Sequence, residues 1–190
     1  MRKRKWFLLV CLVVLFCAAC SNDSSDEKKS EYRVVYSGEI KTLNYLKTSE
    51  TNEFAVAANL VDGLIEYDKY GIVQPGLAKE WSSNEDATVW TFKLRDDVKW
   101  VTHNGKEYAD LVAQDFVDGL QYVLDAKNES STVWSAMVVK NGEAFYNGEL
   151  TDFSKVGIKA IDQHTIEYTL EAPTPYFLSM LNYVCFFPVN

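Results

Sequence analysis

The segment Val89-Trp90-Thr91-Phe92-Lys93-Leu94-Arg95 alternates residue by residue between apolar and mostly polar side chains. Successive side chains on a strand point to opposite faces, so Trp90, Phe92 and Leu94 share one face while Val89, Thr91, Lys93 and Arg95 share the other. Such a strand has to lay its aromatic face on a core and leave the second face wet. Trp90 and Phe92 are therefore read as core, not as a ligand surface.

The flanking segments supply that core. Phe54, Val56, Ala57, Leu60, Val61 and Leu64 recur at helical spacing, with Thr51 or Asn52 as the expected cap. Leu64 to Tyr67 and Ile72 to Gly76 read as strands around the turn Asp68-Lys69-Tyr70-Gly71. Asn104-Gly105 marks a tight turn between Trp100-Val101 and Tyr108. Phe116, Val117, Leu120, Val123 and Leu124 make one face of a helix opened by Ala113, with Asp115 and Asp118 near its positive end. Further expectations are a strand over Tyr32 to Tyr36, a helix over Thr132 to Tyr146, strands over Val156 to Ile161 and Thr165 to Leu170, and a last helix over Pro175 to Tyr183. This mixed order predicts an α/β or α+β fold, not a bundle or a sandwich.

The chain opens with Arg2, Lys3, Arg4 and Lys5 ahead of an apolar run from Trp6 to Ala19. The run falls short of the roughly 17 residues a spanning helix needs, and Ser21 to Ser30 turns at once to Ser, Asp, Glu and Lys, so it reads as a secretion signal. Phe16-Cys17-Ala18-Ala19-Cys20 resembles a lipobox, with Cys17 where bacterial lipoproteins usually carry Leu, and it marks Cys20 for lipidation. Ser21 to Glu31 has nothing from which to build a core and reads as a tether. Cys185 then remains in the apolar stretch Tyr183 to Pro188, as a buried small hydrophobe.

The chemistry of catalysis is thinly represented. With 19 Lys and Arg against 27 Asp and Glu, the net charge of -8 argues against a nucleic-acid binder. His103 and His164 stand alone in expected turns without a second metal ligand at motif spacing. No phosphate loop, nucleophile elbow, zinc-protease or Cys-x-x-Cys motif is present. The pairs Asp96-Asp97, Glu85-Asp86 and Glu143 with Glu149 read as solvated faces, not as paired acid and base. Trp134, which follows the polar run Asn128 to Thr132 at a helix entrance, suits either a core or a pocket wall.

Several blocks together are similar to one family. Gly63-Leu64-Ile65-Glu66-Tyr67, Gln74-Pro75-Gly76-Leu77-Ala78-Lys79-Glu80-Trp81, Val89 to Trp100, Gly105 and Ala113-Gln114-Asp115-Phe116-Val117 resemble the bacterial extracellular solute-binding proteins of family 5. Val156 to Leu170 and Pro173-Thr174-Pro175-Tyr176-Phe177 resemble its oligopeptide-binding members. The resemblance implies a periplasmic-binding-protein-like fold of two lobes with an extra domain. Residues 1–19 are then the signal peptide, 20–31 the tether, 32–61 the start of lobe I, 62–185 the extra domain and 186–190 the return to lobe I.

The same resemblance implies a monomeric, non-enzymatic lipoprotein on the outer face of the bacterial membrane. It would capture oligopeptides for the membrane permease of an ABC importer, with no cofactor and no metal. Carried over by position, the loop after Thr42-Leu43 pairs its main chain with the peptide, which places Ser49, Glu50, Thr51 and Asn52 at the site. Trp134 falls where the family contributes an aromatic wall. The family's usual Leu-Asp-Pro is Leu43-Asn44-Tyr45 here, and the turn Val101 to Gly105 is longer than is common. Family members are much longer, and the second lobe, with its acidic group for the peptide amino terminus, is missing. The chain thus reads as an N-terminal fragment of a receptor, without the means to close a cleft. Alternatives are a signalling-peptide receptor, a family member for dipeptides, nickel complexes or sugars, and a truncated surface lipoprotein acting as an interaction module.

Overall fold

The computed structural model describes residues 33–190. The expected signal peptide, Cys20 and the tether lie outside the described residues, as does Tyr32. Residues 36–190 form one compact unit. The strand expected over Tyr32 to Tyr36 is absent from its described part, where residues 33–36 belong to no strand and Val35 is 97% exposed.

The first helix, α1 (Thr51–Ala57), follows an irregular loop. Glu50 is its cap, extended at φ -80°, in place of the expected Thr51 or Asn52, which are already helical. A hairpin of β1 (Ile65–Tyr67) and β2 (Val73–Pro75) comes next, then β3 (Ala78–Ser83) and β4 (Val89–Leu94). A second hairpin, β5 (Lys99–Val101) and β6 (Glu107–Asp110), turns at Gly105, whose φ of 77° is the left-handed geometry the Asn-Gly pair announced. Helix α2 (Ala113–Leu124) leads to short helices α3 (Val133–Ala136) and α4 (Gly142–Tyr146), then β7 (Ile158–Asp162), β8 (Thr165–Thr169) and α5 (Phe177–Met180).

Strands β3, β4, β8 and β7 form one antiparallel sheet in that order. Phe92 lies opposite Ile166, and Trp90 opposite Tyr168, on the buried face. The alternation therefore does what it predicts: Trp90, Phe92 and Leu94 are buried and Lys93 is exposed. Phe177 and Phe186 complete an aromatic cluster, with Tyr168 5.3 Å from Phe177 and Phe177 5.7 Å from Phe186 between ring centroids. Edge-to-face contacts of this kind add about 0.5–1.5 kcal/mol each beyond area burial. Cys185 is fully buried beside the cluster, as its apolar surroundings imply, and burial pushes its thiol well above the ordinary range.

The helix expected over Thr132 to Tyr146 is broken into α3 and α4. Asn141 adopts left-handed backbone at φ 61°, and the linking segment bonds to the sheet instead of to itself. Lys140 N donates to Thr169 O at 2.9 Å, Gly157 N donates to Lys140 O at 2.8 Å, and Val139 bridges Leu170. Tertiary pairing overrides helix continuation here. The last helix is likewise shorter than the expected Pro175 to Tyr183, because a 3-10 turn at Val184–Phe186 brings Phe186 into the core.

The chain from Phe187 to Val189 crosses α2 at Gly119. A Cβ on Gly119 would sit 2.6 Å from the Phe187 carbonyl oxygen, and Val189 N donates to Asp115 O at 3.0 Å. Alanine ordinarily stabilises a helix interior by about 1 kcal/mol over glycine. Gly119→Ala is expected instead to destabilise the fold by about 1–3 kcal/mol in urea unfolding, because backbone has to move. Tyr168 makes the opposite case: its hydroxyl is buried with no hydrogen-bond partner among the described residues. Tyr168→Phe is expected to raise stability by about 1 kcal/mol in the same measurement, and a loss of that size would reveal a partner.

Candidate functional site

The loop before α1 ends at Ser49 and Glu50, Thr51 and Asn52 open the helix, and buried Leu46 anchors the loop in the core. Residues 44–48 turn on themselves through Lys47 N and Thr48 N, which both donate to Asn44 O, at 3.1 and 3.2 Å. Thr48 Oγ1 accepts from Glu50 N at 3.0 Å. The chain is thus bent so that Ser49, Glu50 and Thr51 face solvent. Asn52 is half-buried, and its side chain fastens α1 to Ser37 and Gly38 at 3.3 and 3.5 Å. Of the four residues carried over from the family pattern, three present themselves outward and the fourth acts first as a fastener.

A residue missed in the sequence holds this loop. Glu53, third residue of α1, is only 4% exposed. Its Oε1 accepts from Lys41 N at 2.8 Å and Thr42 N at 3.1 Å, so one carboxylate ties two consecutive amides of the loop's first half to the helix start. The Thr48 hydroxyl, then the Lys41 and Thr42 amides, hold this carboxyl below its ordinary value of 4.5, against the opposing effect of burial. A glutamate at the third helical position is a recognisable sign, since the carboxylate sits at the positive end of the helix and within reach of unpaired amides. Placing the cap at Thr51 or Asn52 moved that position past Glu53.

Tyr45 stands where the family usually has proline. Its phenol donates to Pro188 O at 2.5 Å and joins the loop to the chain that crosses α2. Burial, followed by electrostatic repulsion from Tyr108 and Asp115, pushes this phenol up to about 12. Asn44 Nδ2 donates to Tyr122 Oη on α2 at 2.8 Å.

Trp134 follows a segment that is hydrogen-bonded to this loop. Ser130 Oγ donates to Leu46 O at 2.5 Å and Ser131 N donates to Lys47 O at 2.9 Å, so the loop is laced to the chain entering α3. Lys47 and Glu129 add an exposed ion pair at 3.3 Å, which contributes little by itself. Trp134, the second residue of α3, is 72% exposed and packs against Tyr146 with ring centroids 6.2 Å apart. An exposed tryptophan braced by a tyrosine is surface, not core.

The other singled-out groups do not join it. Asp97 is held below the usual carboxylate range by Arg95, and Asp86 by the hydroxyl and amide of Thr88, both on solvated turns. Glu143 and Glu149 line an open groove of about 390 Å³ with Glu171, which accepts from Asn141 N. Among the described residues no group of three or more His, Cys, Asp or Glu is arranged to hold a metal ion. Cys20 lies outside the described residues.

The chain builds a mixed helix and strand scaffold on which the loop before α1 and the α3 entrance are hydrogen-bonded to each other. Its fold is periplasmic-binding-protein-like: it superposes on a solved structure of Listeria monocytogenes OppA bound to peptide with a TM-score of 0.74 at 31% identity, over 82% of this chain and 30% of that one. Residues 73–190 match the family model for bacterial extracellular solute-binding proteins, family 5 Middle, and the chain belongs to that family. It is 41% identical over 99% of its length to the oligopeptide-binding protein AliB, and 38% identical over its whole length to the oligopeptide-binding protein AmiA, both of Streptococcus pneumoniae serotype 4. The chain spans 29% of the length of each of these relatives.

The loop's dependence on Glu53 sets a pH dependence. A carboxyl held below its unfolded value stabilises the fold above that value, and the contribution is lost as pH falls through the folded value. Glu53→Gln is expected to lower the urea midpoint at neutral pH, and the gap to the native chain to narrow as pH falls below the ordinary carboxylate range. A gap independent of pH would show that the ionised carboxylate is not what holds the loop.

Proposed function

We propose that this chain is the front portion of an extracellular oligopeptide receptor serving an ABC importer. The observation that carries the reading is its 41% identity, over 99% of the chain, to a protein named for oligopeptide binding. The shared fold with a peptide-bound OppA supports it. In this reading the entry to α1 at Ser49, Glu50, Thr51 and Asn52 offers main-chain groups to an extended peptide, as an added strand pairs with an edge. Backbone pairing gives affinity without sequence choice. Trp134, braced by Tyr146, supplies an aromatic wall for varied side chains.

The division into the start of lobe I at 32–61, an extra domain at 62–185 and a return at 186–190 is part of the same proposal. So is export with a lipid on Cys20, which would hold a monomer at the outer face of the membrane beside its permease. The receptor itself performs no turnover: the membrane partner drives uptake, and the binding domain delivers the load.

Native mass spectrometry of the protein extracted from its own membrane tests these points together. The expected spectrum is that of a chain heavier than these 190 residues, with a lipid mass at Cys20 and a ladder of bound peptide masses. Protein that neither retains peptides nor takes them up from a mixed tri- to hexapeptide pool would overturn the function. Trp134→Ala is expected to weaken peptide retention by about tenfold. An unchanged ladder in that variant would remove Trp134 from the site.

A further inference from the structure

We propose that Ser130 is a positioning residue, whose buried hydroxyl fixes the loop bearing Ser49 to Asn52 in register with the turn bearing Trp134. The inference rests on the peptide-binding reading for the use to which that register is put, and on geometry alone for the coupling itself.

Ser130 and Thr132 are 5% and 3% exposed, which is unusual for hydroxyl side chains at a helix entrance. A serine hydroxyl has one proton to give. Ser130 gives it to Leu46 O at 2.5 Å, so the 3.3 Å contact between Ser130 Oγ and Thr132 Oγ1 has Thr132 as its donor. The result is a short directed chain, from Thr132 to Ser130 to the Leu46 carbonyl. It runs next to the main-chain bond from Ser131 N to Lys47 O, so two consecutive carbonyls of the loop are taken by two consecutive residues of the α3 entrance.

The backbone is shaped for this contact. Glu129 takes the left-handed conformation at φ 51° and ψ 44°, which reverses the chain after the 3-10 turn at Ala126–Asn128. Non-glycine residues hold that conformation only where the surroundings impose it, and such positions gather at functional sites. On the other side, Leu46 is 2% exposed, so its carbonyl has no ready substitute in water. Glu53 fixes the loop to α1, but nothing in that bond reaches Trp134. Ser130 is the side chain that links the two halves of the site through buried contacts.

Residue-resolved amide hydrogen exchange on the full chain tests this. In Ser130→Ala, exchange at Ser131, Thr48 and Glu50 is expected to quicken by about tenfold, while amides of β4 and β8 keep their native rates. Ser130→Thr, which keeps the hydroxyl, is expected to restore slow exchange. Val123→Ala, a core change in α2, serves as the control for general loosening. If Ser130→Ala leaves the loop rates unchanged, or quickens exchange uniformly as Val123→Ala does, the positioning role is overturned. Thr132→Val gives a second route should Ser130→Ala fail to fold: it shortens the hydroxyl chain and is expected to produce the same local pattern at smaller size, and native rates throughout would count against the proposal. Peptide retention, measured separately on the longer receptor proposed to contain this chain, separates the two readings. A native protein that retains no peptide removes the function, while the exchange pattern still decides the coupling.

Discussion

The buried carboxylate of Glu53, with the Lys41 and Thr42 amides on one oxygen, is the contact on which the outer edge of this structure depends. Without it the loop from Glu39 to Glu50 would have only solvent for those two donors. Asp115 does the same work at the start of α2: it is 5% exposed, and its Oδ2 accepts from Val112 N at 3.0 Å and Trp100 Nε1 at 2.7 Å. In both helices an acidic third residue sits at the positive end of the helix and ties down a segment from elsewhere in the chain. A charge-assisted bond from a carboxylate to backbone N–H is among the stronger contacts available to a protein, and here it is spent on orientation.

Helix α2 is the beam across which these parts meet. Its buried face, Phe116, Leu120, Val123 and Leu124, lies in the core, Gly119 admits the chain from Phe187 to Val189, and Tyr45 reaches that chain from the loop. The loop and the α3 entrance are then joined by Ser130 and Ser131. The residues proposed to meet a peptide therefore sit on a segment held from both sides, by the α3 entrance at Leu46 and Lys47 and by Glu53 at Lys41 and Thr42. A surface built this way loses little entropy on binding, because its ordering is complete before the ligand arrives.

Much of the scaffold was legible in the sequence, because its signals are local. The alternation at Val89 to Arg95 needs only period two, the face of α2 needs only helical spacing, and Asn104-Gly105 needs only the left-handed freedom of glycine. The candidate site residues, Ser49 to Asn52 and Trp134, came from family resemblance alone and stand as a proposal; what the structure adds is that hydrogen bonds lace their two segments together. What could not be read were the fasteners. Ser130, Thr132 and Thr48 are ordinary polar residues until burial and a distant partner give them a role, and Glu53 was hidden by a cap placed too late. The break between α3 and α4 escaped for the same reason, since Val139 and Lys140 are turned from the helix by a strand that comes about 30 residues later.

Whether the loop and the Trp134 turn act as one peptide-contacting edge is tested most directly by mapping backbone and indole chemical shifts of the longer receptor proposed to contain this chain during titration with a mixed tri- to hexapeptide pool. Signals of Ser49, Glu50, Thr51 and the Trp134 indole N–H should move together and saturate at one common concentration. Shifts confined to one of the two segments, or gathered instead on the exposed face of the β3-β4-β8-β7 sheet, would contradict it.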